Sequence, residues 1–177
     1  MKWLVLDLET SGLDVKKCVI LEAAAVLVDA ETLGPEMQTS WRVKHELAPS
    51  MCAYVARMHS DNGLLREIEA NGGVRGHAEL DARLCAFAEV CLLQRGILVG
   101  NSIHFDRAFL EAYCPAFCSY LSHRMVDVSC LHTLRDTWTG RSARVAKSDV
   151  AHRALADCLS SIEQLKSHKE AILGGTW

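Results

Sequence analysis

The sequence has no C-x-x-C pair among its eight cysteines, no long uncharged apolar run and no excess of basic residues. The first absence excludes the ligand spacing of a zinc ribbon. The second argues against a membrane span, which needs roughly 18 apolar residues in succession. The net charge of −3 excludes the polybasic character of proteins that bind bulk nucleic acid, although a short substrate with few phosphates is compatible with it.

The cysteines give an expectation about the cellular compartment. Several of them, such as Cys85 and Cys91, lie in apolar stretches with helical character, which is typical of buried, reduced thiols. The N-terminus runs into the first apolar stretch with no signal or transit segment. We therefore expect a cytoplasmic protein, with mitochondria as the alternative location in a eukaryotic cell.

The 177 residues, 50% of them hydrophobic, suit one globular domain that spans residues 1–177. Apolar runs between turn residues predict three early strands in an antiparallel meander, at 3–6, 18–28 and 38–45. Helical spacing of apolar residues predicts helices at 49–58, 78–94, 104–113, 129–138 and 153–171. Shorter apolar runs predict strands at 97–99 and 124–128. The polar stretches between them, including the one around Asn71 and segment 139–150, are expected to be loops. This order predicts an α/β fold with a mixed sheet flanked by helices.

Two acidic residues lie at the end of the first predicted strand. Because side chains alternate across a strand, Asp7 and Glu9 share one face while Leu8 takes the other. Two adjacent carboxylates repel each other, and a divalent cation between them would relieve that repulsion. The pair is either the first half of a metal site or a solvated strand end, and the D-x-E pattern alone does not decide between them. Glu22, in the next apolar run, is either a partner near this pair or a residue at an exposed strand edge.

Three further candidate residues lie far along the chain. Asp106 falls in the first turn of a predicted helix, from which it can point back over a strand end. Asp157 follows three weakly polar or apolar residues at the start of the last helix, which is an unusual environment for a carboxylate without a function. His152 lies about 140° away from it on a helical wheel, so the two do not share a helix face. We interpret Asp157 as a fixed metal ligand and His152 as a base on the adjoining loop. The alternatives are a solvated acid and a structural histidine.

The chain thus carries four carboxylates and one histidine in a defined order, namely Asp7, Glu9, Asp106, His152 and Asp157. This set resembles the five-residue signature of the DEDDh exonuclease superfamily. Segments 100–110 and 152–157 resemble the second and third motifs of that superfamily, and segments 57–64 and 123–129 are typical of its oligoribonuclease family. The resemblance covers nearly the whole chain and implies a ribonuclease-H-like fold with a mixed five-stranded sheet.

The resemblance also implies a 3′→5′ exoribonuclease that hydrolyses short RNA oligonucleotides, from dinucleotides to a few nucleotides, to 5′-mononucleotides. Carboxylates suit two hard divalent ions, Mg²⁺ or Mn²⁺, better than zinc, which favours histidine and cysteine. Asp7 is then the bridging ligand, Glu9 and Asp157 complete the shell of one ion, and Asp106 holds the other. His152 is the general base, a role that histidine can fill near neutral pH.

The residues that hold the substrate follow from the same resemblance. Leu13 and Tyr54 contact the terminal bases, and Tyr54 stands where the family usually has Trp. A polar cap around the 5′ phosphate is formed by Ser102, His123, Arg124 and Ser129. The family is homodimeric, and His123 replaces a Tyr that crosses the dimer interface. Trp138 and segment 123–131 are candidates for that interface.

Departures from the family pattern leave a second function open. Besides Tyr54 and His123, the motif Glu-Thr-Ser-Gly that begins at Glu9 differs from the usual Glu-Met-Thr-Gly. The alternative is a less length-selective exonuclease that acts on DNA or longer RNA 3′ ends. A third class is an RNA-binding domain without activity. Three basic residues either steer phosphates toward the site or belong to a solvated loop, and these are Arg141, Arg144 and Lys147.

Overall fold

A computed structural model describes residues 2–140 and 152–175 of the chain. Its strands are β1 (Lys2–Thr10), β2 (Ile20–Asp29), β3 (Pro35–Lys44), β4 (Val74–Arg75), β5 (Gly96–Gly100) and β6 (Leu121–Asp127). Its helices are α1 (Ala53–Asp61), α2 (Leu64–Asn71), α3 (Gly76–Val90), α4 (Ile103–Tyr113), α5 (Pro115–Cys118), α6 (Val128–Thr139) and α7 (Ala154–Leu173). The strands form one sheet in the order β4-β3-β2-β1-β5-β6.

The sheet is mixed, with β1 at its centre. β1 pairs antiparallel with β2, which pairs antiparallel with β3, so the predicted meander is present. On its other side β1 pairs parallel with β5, and β5 pairs parallel with β6. The first nine residues of β2 are buried without alternation, because helices cover both faces of the sheet.

Two layers of helices enclose the sheet. On one face, Leu4, Leu6 and Leu8 belong to a core that includes Leu84 of α3 and Phe109 of α4. On the other face, Val5 and the small Ala24 belong to a core shared with α7. The odd-numbered residues of β1 therefore point toward α7, because side chains alternate along a strand. This orientation places Asp7 and Glu9 on the side of the sheet that α7 covers.

The predicted α/β class, with a mixed sheet flanked by helices, is confirmed, but the sheet has six strands rather than five. The sixth, β4, has two residues and pairs parallel with the end of β3, where Val74 lies opposite Val43. A segment of this length is too short to show an alternating pattern in the sequence. None of the helices in the described part of the chain has the combination of length and apolar character that a bilayer span requires.

The stretch before β4 is predicted from its polarity to be a loop, but it contains α2. Gly63 adopts a left-handed conformation (φ 80°) that ends α1 and lets a second helix begin at once. Leu64, the first residue of that helix, is fully buried. Packing of such a residue, rather than the intrinsic preference of the segment, stabilises a short helix.

Candidate active site

Three carboxylates converge at the end of β1. Asp7 and Glu9 share the face of β1 that α7 covers, and Asp157 lies in the first turn of α7. One carboxylate oxygen from each residue can be chosen so that all three atoms lie within 4.8 Å of one another. This spacing allows a single cation to contact all three groups, and hard oxygen ligands favour ions such as Mg²⁺ and Mn²⁺. Three of the four predicted acids thus form one cluster.

The fourth acid, Asp106, reaches the same strand from the first turn of α4. Its Oδ1 accepts a hydrogen bond of 2.9 Å from the backbone N–H of Leu8, the residue between Asp7 and Glu9. The side chain is buried, and burial raises the pKa of Asp106 to about 7, although hydrogen bonds from backbone N–H groups oppose the shift. Asp106 therefore lies beside the cluster of three, within its electrostatic influence.

The pKa of Glu9 is the most informative electrostatic property of the site. Burial raises it from 4.5 to about 8, and repulsion by Asp157, Glu22 and Asp106 adds to the shift. A carboxylate that holds a proton at neutral pH in the absence of metal is a group that a divalent cation would ionise. The donor set is therefore one that fits a divalent metal ion.

A cavity of about 240 Å³ opens above the carboxylates. Its lining consists of Asp7, Leu8, Glu9, Asn101, Ser102, His152, Asp157 and Ser161. His152 is exposed and directly precedes the N-cap residue of α7, so its side chain lies at the edge of the cavity. The predicted base and three of the predicted ligands thus line one space.

Glu22 does not lie at an exposed strand edge. It is 4% exposed and lies directly opposite Glu9 in the pairing of β1 with β2. Its carboxylate accepts hydrogen bonds from the guanidinium of Arg153 and from the backbone N–H of Ala154, at the start of α7. The interpretation of Glu22 as a partner near the acid pair is confirmed.

The turn between β5 and α4 supplies a polar side of the cavity. Gly100 approaches β1 so closely that a Cβ there would lie 2.8 Å from the Leu6 carbonyl oxygen. Ser102 follows in a left-handed conformation (φ 51°), and its backbone N–H donates to Asp127 and to Ser129 Oγ. These two hydrogen bonds offset the strain of a non-glycine residue in that conformation.

Ser102 and Ser129, both predicted to belong to the phosphate cap, lie side by side with their Oγ atoms 3.4 Å apart. Of the predicted substrate residues, Ser102 lines the described cavity and the rest do not. Leu13 and Tyr54 are 81% and 73% exposed, and His123 and Arg124 are exposed on β6. The basic residues Arg141, Arg144 and Lys147 lie outside the described part of the chain.

Two residues of the site are missing from the sequence-based prediction. Asn101 donates from Nδ2 to Ser161 Oγ (2.9 Å) and Gln164 Oε1 (3.1 Å) of α7, and it accepts from Ser129. Asp127 caps α6 and fixes the Ser102 turn. Asp127 lies within the predicted strand 124–128, two residues before the predicted helix, and an acid near a helix start is an N-cap signal that could have identified it. The partners of Asn101 are set by tertiary structure and leave no local signal.

With this geometry established, comparisons identify the class of the protein. The chain matches the RNase_T family, whose description is exonuclease, over residues 4–165. The exonuclease family depends on divalent metal ions, in agreement with the carboxylate cluster at the end of β1. The fold and the site are therefore those of a nuclease.

Related sequences narrow the class. The chain is 37% identical to the oligoribonuclease of Corynebacterium diphtheriae, over 95% of this chain and 81% of that protein. It is 34% identical to the oligoribonuclease of Tropheryma whipplei, over 96% and 92% of the two chains. The chain thus belongs to the RNase_T exonuclease family and, within it, to the oligoribonucleases.

Solved structures agree with the fold. The zinc-bound form of Escherichia coli exonuclease I with single-stranded DNA superposes with a TM-score of 0.66 at 16% identity, over 95% of this chain and 40% of that one. Exonuclease I of Methylocaldum szegediense gives a TM-score of 0.67 at 15% identity, over 96% and 40%. At this identity the likeness concerns the fold, and this chain spans about 40% of the length of either neighbour.

Proposed function

We propose that this chain hydrolyses short oligoribonucleotides, from dinucleotides to a few nucleotides, from the 3′ end to 5′-mononucleotides. The observation that carries the proposal is the cluster of Asp7, Glu9 and Asp157 within 4.8 Å, beside His152 in one cavity. Relatives named oligoribonuclease, at up to 37% identity over 95% of the chain, support the substrate class. We further propose that residues 1–177 form a single exonuclease domain.

The proposed metal ligands are the four acids of the site. Asp7, Glu9 and Asp157 would hold one ion, and Asp106, together with Asp7, would hold a second. Two bound Mg²⁺ or Mn²⁺ ions would supply the positive charge that stabilises the phosphodiester and acidifies water. The raised pKa of Glu9, about 8, supports this role, because burial and the repulsion of the neighbouring acids outweigh the attraction of Arg153.

His152 is the proposed general base. Its exposure at the edge of the cavity allows the imidazole to take a proton from the attacking water and release it to solvent. The water oxygen then bonds to phosphorus while the bond from phosphorus to the 3′ oxygen breaks, and the leaving 3′ oxygen takes a proton from solvent to become a hydroxyl. A positioned base of this kind typically contributes about 10²–10⁴-fold to the rate.

The size of the cavity suggests how the substrate divides between its interior and its rim. Drug-sized ligands occupy pockets of about 300–1,000 Å³, so a cavity of about 240 Å³ holds only part of a dinucleotide. Leu13 and Tyr54 are exposed and are proposed to hold the terminal bases outside it. Ser102, Ser129, Arg124 and His123 are the proposed cap for the 5′ phosphate.

We propose a homodimer in which a second copy covers the exposed apolar residues of β6 and α6. Met125, Leu134 and Trp138 are 39%, 38% and 66% exposed. His123 lies on β6 near this surface and would take part in the contact. The cytoplasmic location expected from the cysteines stays a prediction.

One digest tests the function and its alternative. Labelled RNAs of two to ten nucleotides and matched DNAs are incubated with Mg²⁺ or Mn²⁺, and with EDTA as the control. Sharp preference for RNA dinucleotides supports the proposal. Equal cleavage of DNA or longer RNA supports the less length-selective exonuclease, which the fold of the DNA-bound neighbours favours. Metal-dependent binding without cleavage supports the inactive RNA-binding domain.

A further inference from the structure

Arg153, the residue after the proposed base, is held between two carboxylates. Its Nε and Nη2 donate to Glu22 at 3.1 and 2.8 Å, and its Nη1 and Nη2 donate to Glu67 at 3.0 and 2.9 Å. Each carboxylate thus receives two hydrogen bonds from the planar guanidinium. Such paired, charge-assisted hydrogen bonds fix both distance and orientation.

The carboxylates that hold Arg153 come from different parts of the fold. Glu22 belongs to β2, opposite the metal-ligand candidate Glu9. Glu67 belongs to α2 and also accepts a hydrogen bond of 2.8 Å from Arg42 of β3. We refer to Glu22, Arg42, Glu67 and Arg153 as the Arg153 network. Through it, α2 and the sheet are joined to the residue that adjoins His152.

A second contact joins the turn between α1 and α2 to His152 itself. Nδ2 of Asn62 donates to the backbone carbonyl oxygen of His152. Oδ1 of Asn62 accepts from the N–H of Leu64, so this side chain is fixed at the turn between α1 and α2. The backbone carbonyl of His152 and the side chain of Arg153 are therefore both attached to one unit, α1–α2.

These contacts matter because α7 does not fix His152. The helix begins at Ala154, and His152 precedes its N-cap, Arg153, so the base lies outside the helical hydrogen bonds. We propose that Glu67 is a positioning residue, which holds His152 in place for proton transfer by way of Arg153. This inference rests on the proposed function of His152 and assigns α2 a part in the reaction although it contributes no side chain to the cavity.

The first test separates turnover from binding. The variants Glu67→Ala and Glu67→Gln are compared with Glu69→Ala, which removes an exposed carboxylate from the same helix. Changes behind a catalytic group typically cost about 10–100-fold in activity, so Glu67→Ala should lower kcat on an RNA dinucleotide by that factor while KM stays near the wild-type value. Glu67→Gln should recover part of the loss, since its amide oxygen still accepts from Arg153. Glu69→Ala should match the wild type.

The second test asks whether Glu67 acts through His152. Added to His152→Ala, Glu67→Ala should cause no further loss of kcat, because the group that it positions is gone. A purely structural role would instead cause the same factor of loss in both backgrounds. That result, or an unchanged kcat in Glu67→Ala alone, would overturn the inference.

A measurement on the imidazole ring of His152 that needs no catalysis tests the inference separately from the proposed function. The ring resonances of His152, assigned by their loss in His152→Ala, should shift and broaden in Glu67→Ala and stay unchanged in Glu69→Ala. A wild-type protein that cleaves no RNA would refute the proposed function. In that case the resonances still decide whether Glu67 positions His152, and unshifted resonances would refute the inference.

Discussion

The stability of the metal-free protein should depend on the charge of Glu9. The pKa of Glu9 is about 8 in the folded protein and about 4.5 in the unfolded chain. Between these values the folded state binds more protons, so the free energy of unfolding falls as the pH rises. Below about pH 4.5 the carboxyl is neutral in both states and the cost disappears. The variant Glu9→Gln keeps the shape of the side chain and never acquires the charge.

The size of the effect on the free energy of unfolding follows from the shift in the pKa of Glu9. Within this pH window each unit changes the free energy of unfolding by about 1.4 kcal/mol. The stability of Glu9→Gln relative to the wild type should therefore rise by that amount per pH unit between about pH 5 and pH 7.5. At pH 7.5 the variant should be more stable by about 4 kcal/mol, an upper value because the buried site relaxes when charged. Taking the difference between the two proteins removes the contribution of groups that do not interact with Glu9.

Urea denaturation followed by circular dichroism, at pH 5.5, 6.5 and 7.5 with EDTA, measures this difference. Saturating Mg²⁺ should then stabilise the wild type and reverse the order, because a cation favours the ionised carboxylate and Glu9→Gln lacks it. Two unfolding free energies that run parallel over this pH range would refute the shifted pKa of Glu9. A response to Mg²⁺ that is equal in both proteins would refute its role as a ligand.

Four further predictions concern activity and folding. His152→Ala should lower kcat about 10²–10⁴-fold in a dinucleotide assay without changing the melting temperature, and full activity would exclude the base role. Tyr54→Ala should weaken RNA binding by about 1–3 kcal/mol, seen as a raised KM, whereas Tyr54→Trp should lower KM. Arg124→Ala should reduce the preference for dinucleotides over ten-nucleotide RNA, and an unchanged ratio would remove Arg124 from the cap. Phe109→Ala should cost about 3–5 kcal/mol in urea denaturation, because this side chain is fully buried.

The sequence predicts the residues whose placement depends on local pattern. An apolar run with two acids on one face predicts β1 and the orientation of Asp7 and Glu9. Helical spacing predicts α4 and places Asp106 in its first turn, as observed. For α7, the motif and the helical spacing predict a start near residue 153, which puts Asp157 beside the strand. These features are set by periods of two and 3.6 residues, which are visible in any short window.

The remaining features depend on contacts between distant parts of the chain. Glu22 and Arg153 are 131 positions apart, and no local pattern indicates that they pair. The same holds for Asn101 and Gln164, and for the two-residue strand β4. The helix α2 is missed because its polar composition suggests a loop, whereas the burial of Leu64 and the ion pairs of Glu67 hold it in place. Tertiary partners decide such segments, and their own sequence does not.

The close approach of β5 to β1 at Gly100 has a consequence for how this enzyme can vary. Asn101, Ser102 and Asp106 all follow Gly100 within six residues, so their backbone depends on the close approach to β1 that the absence of a side chain at Gly100 allows. Any side chain at position 100 would push β5 away from β1 and so separate Asp106 from the acids of β1. Residues at the rim of the cavity can therefore change with substrate preference, whereas Gly100 keeps the spacing of β5 from β1 in the interior.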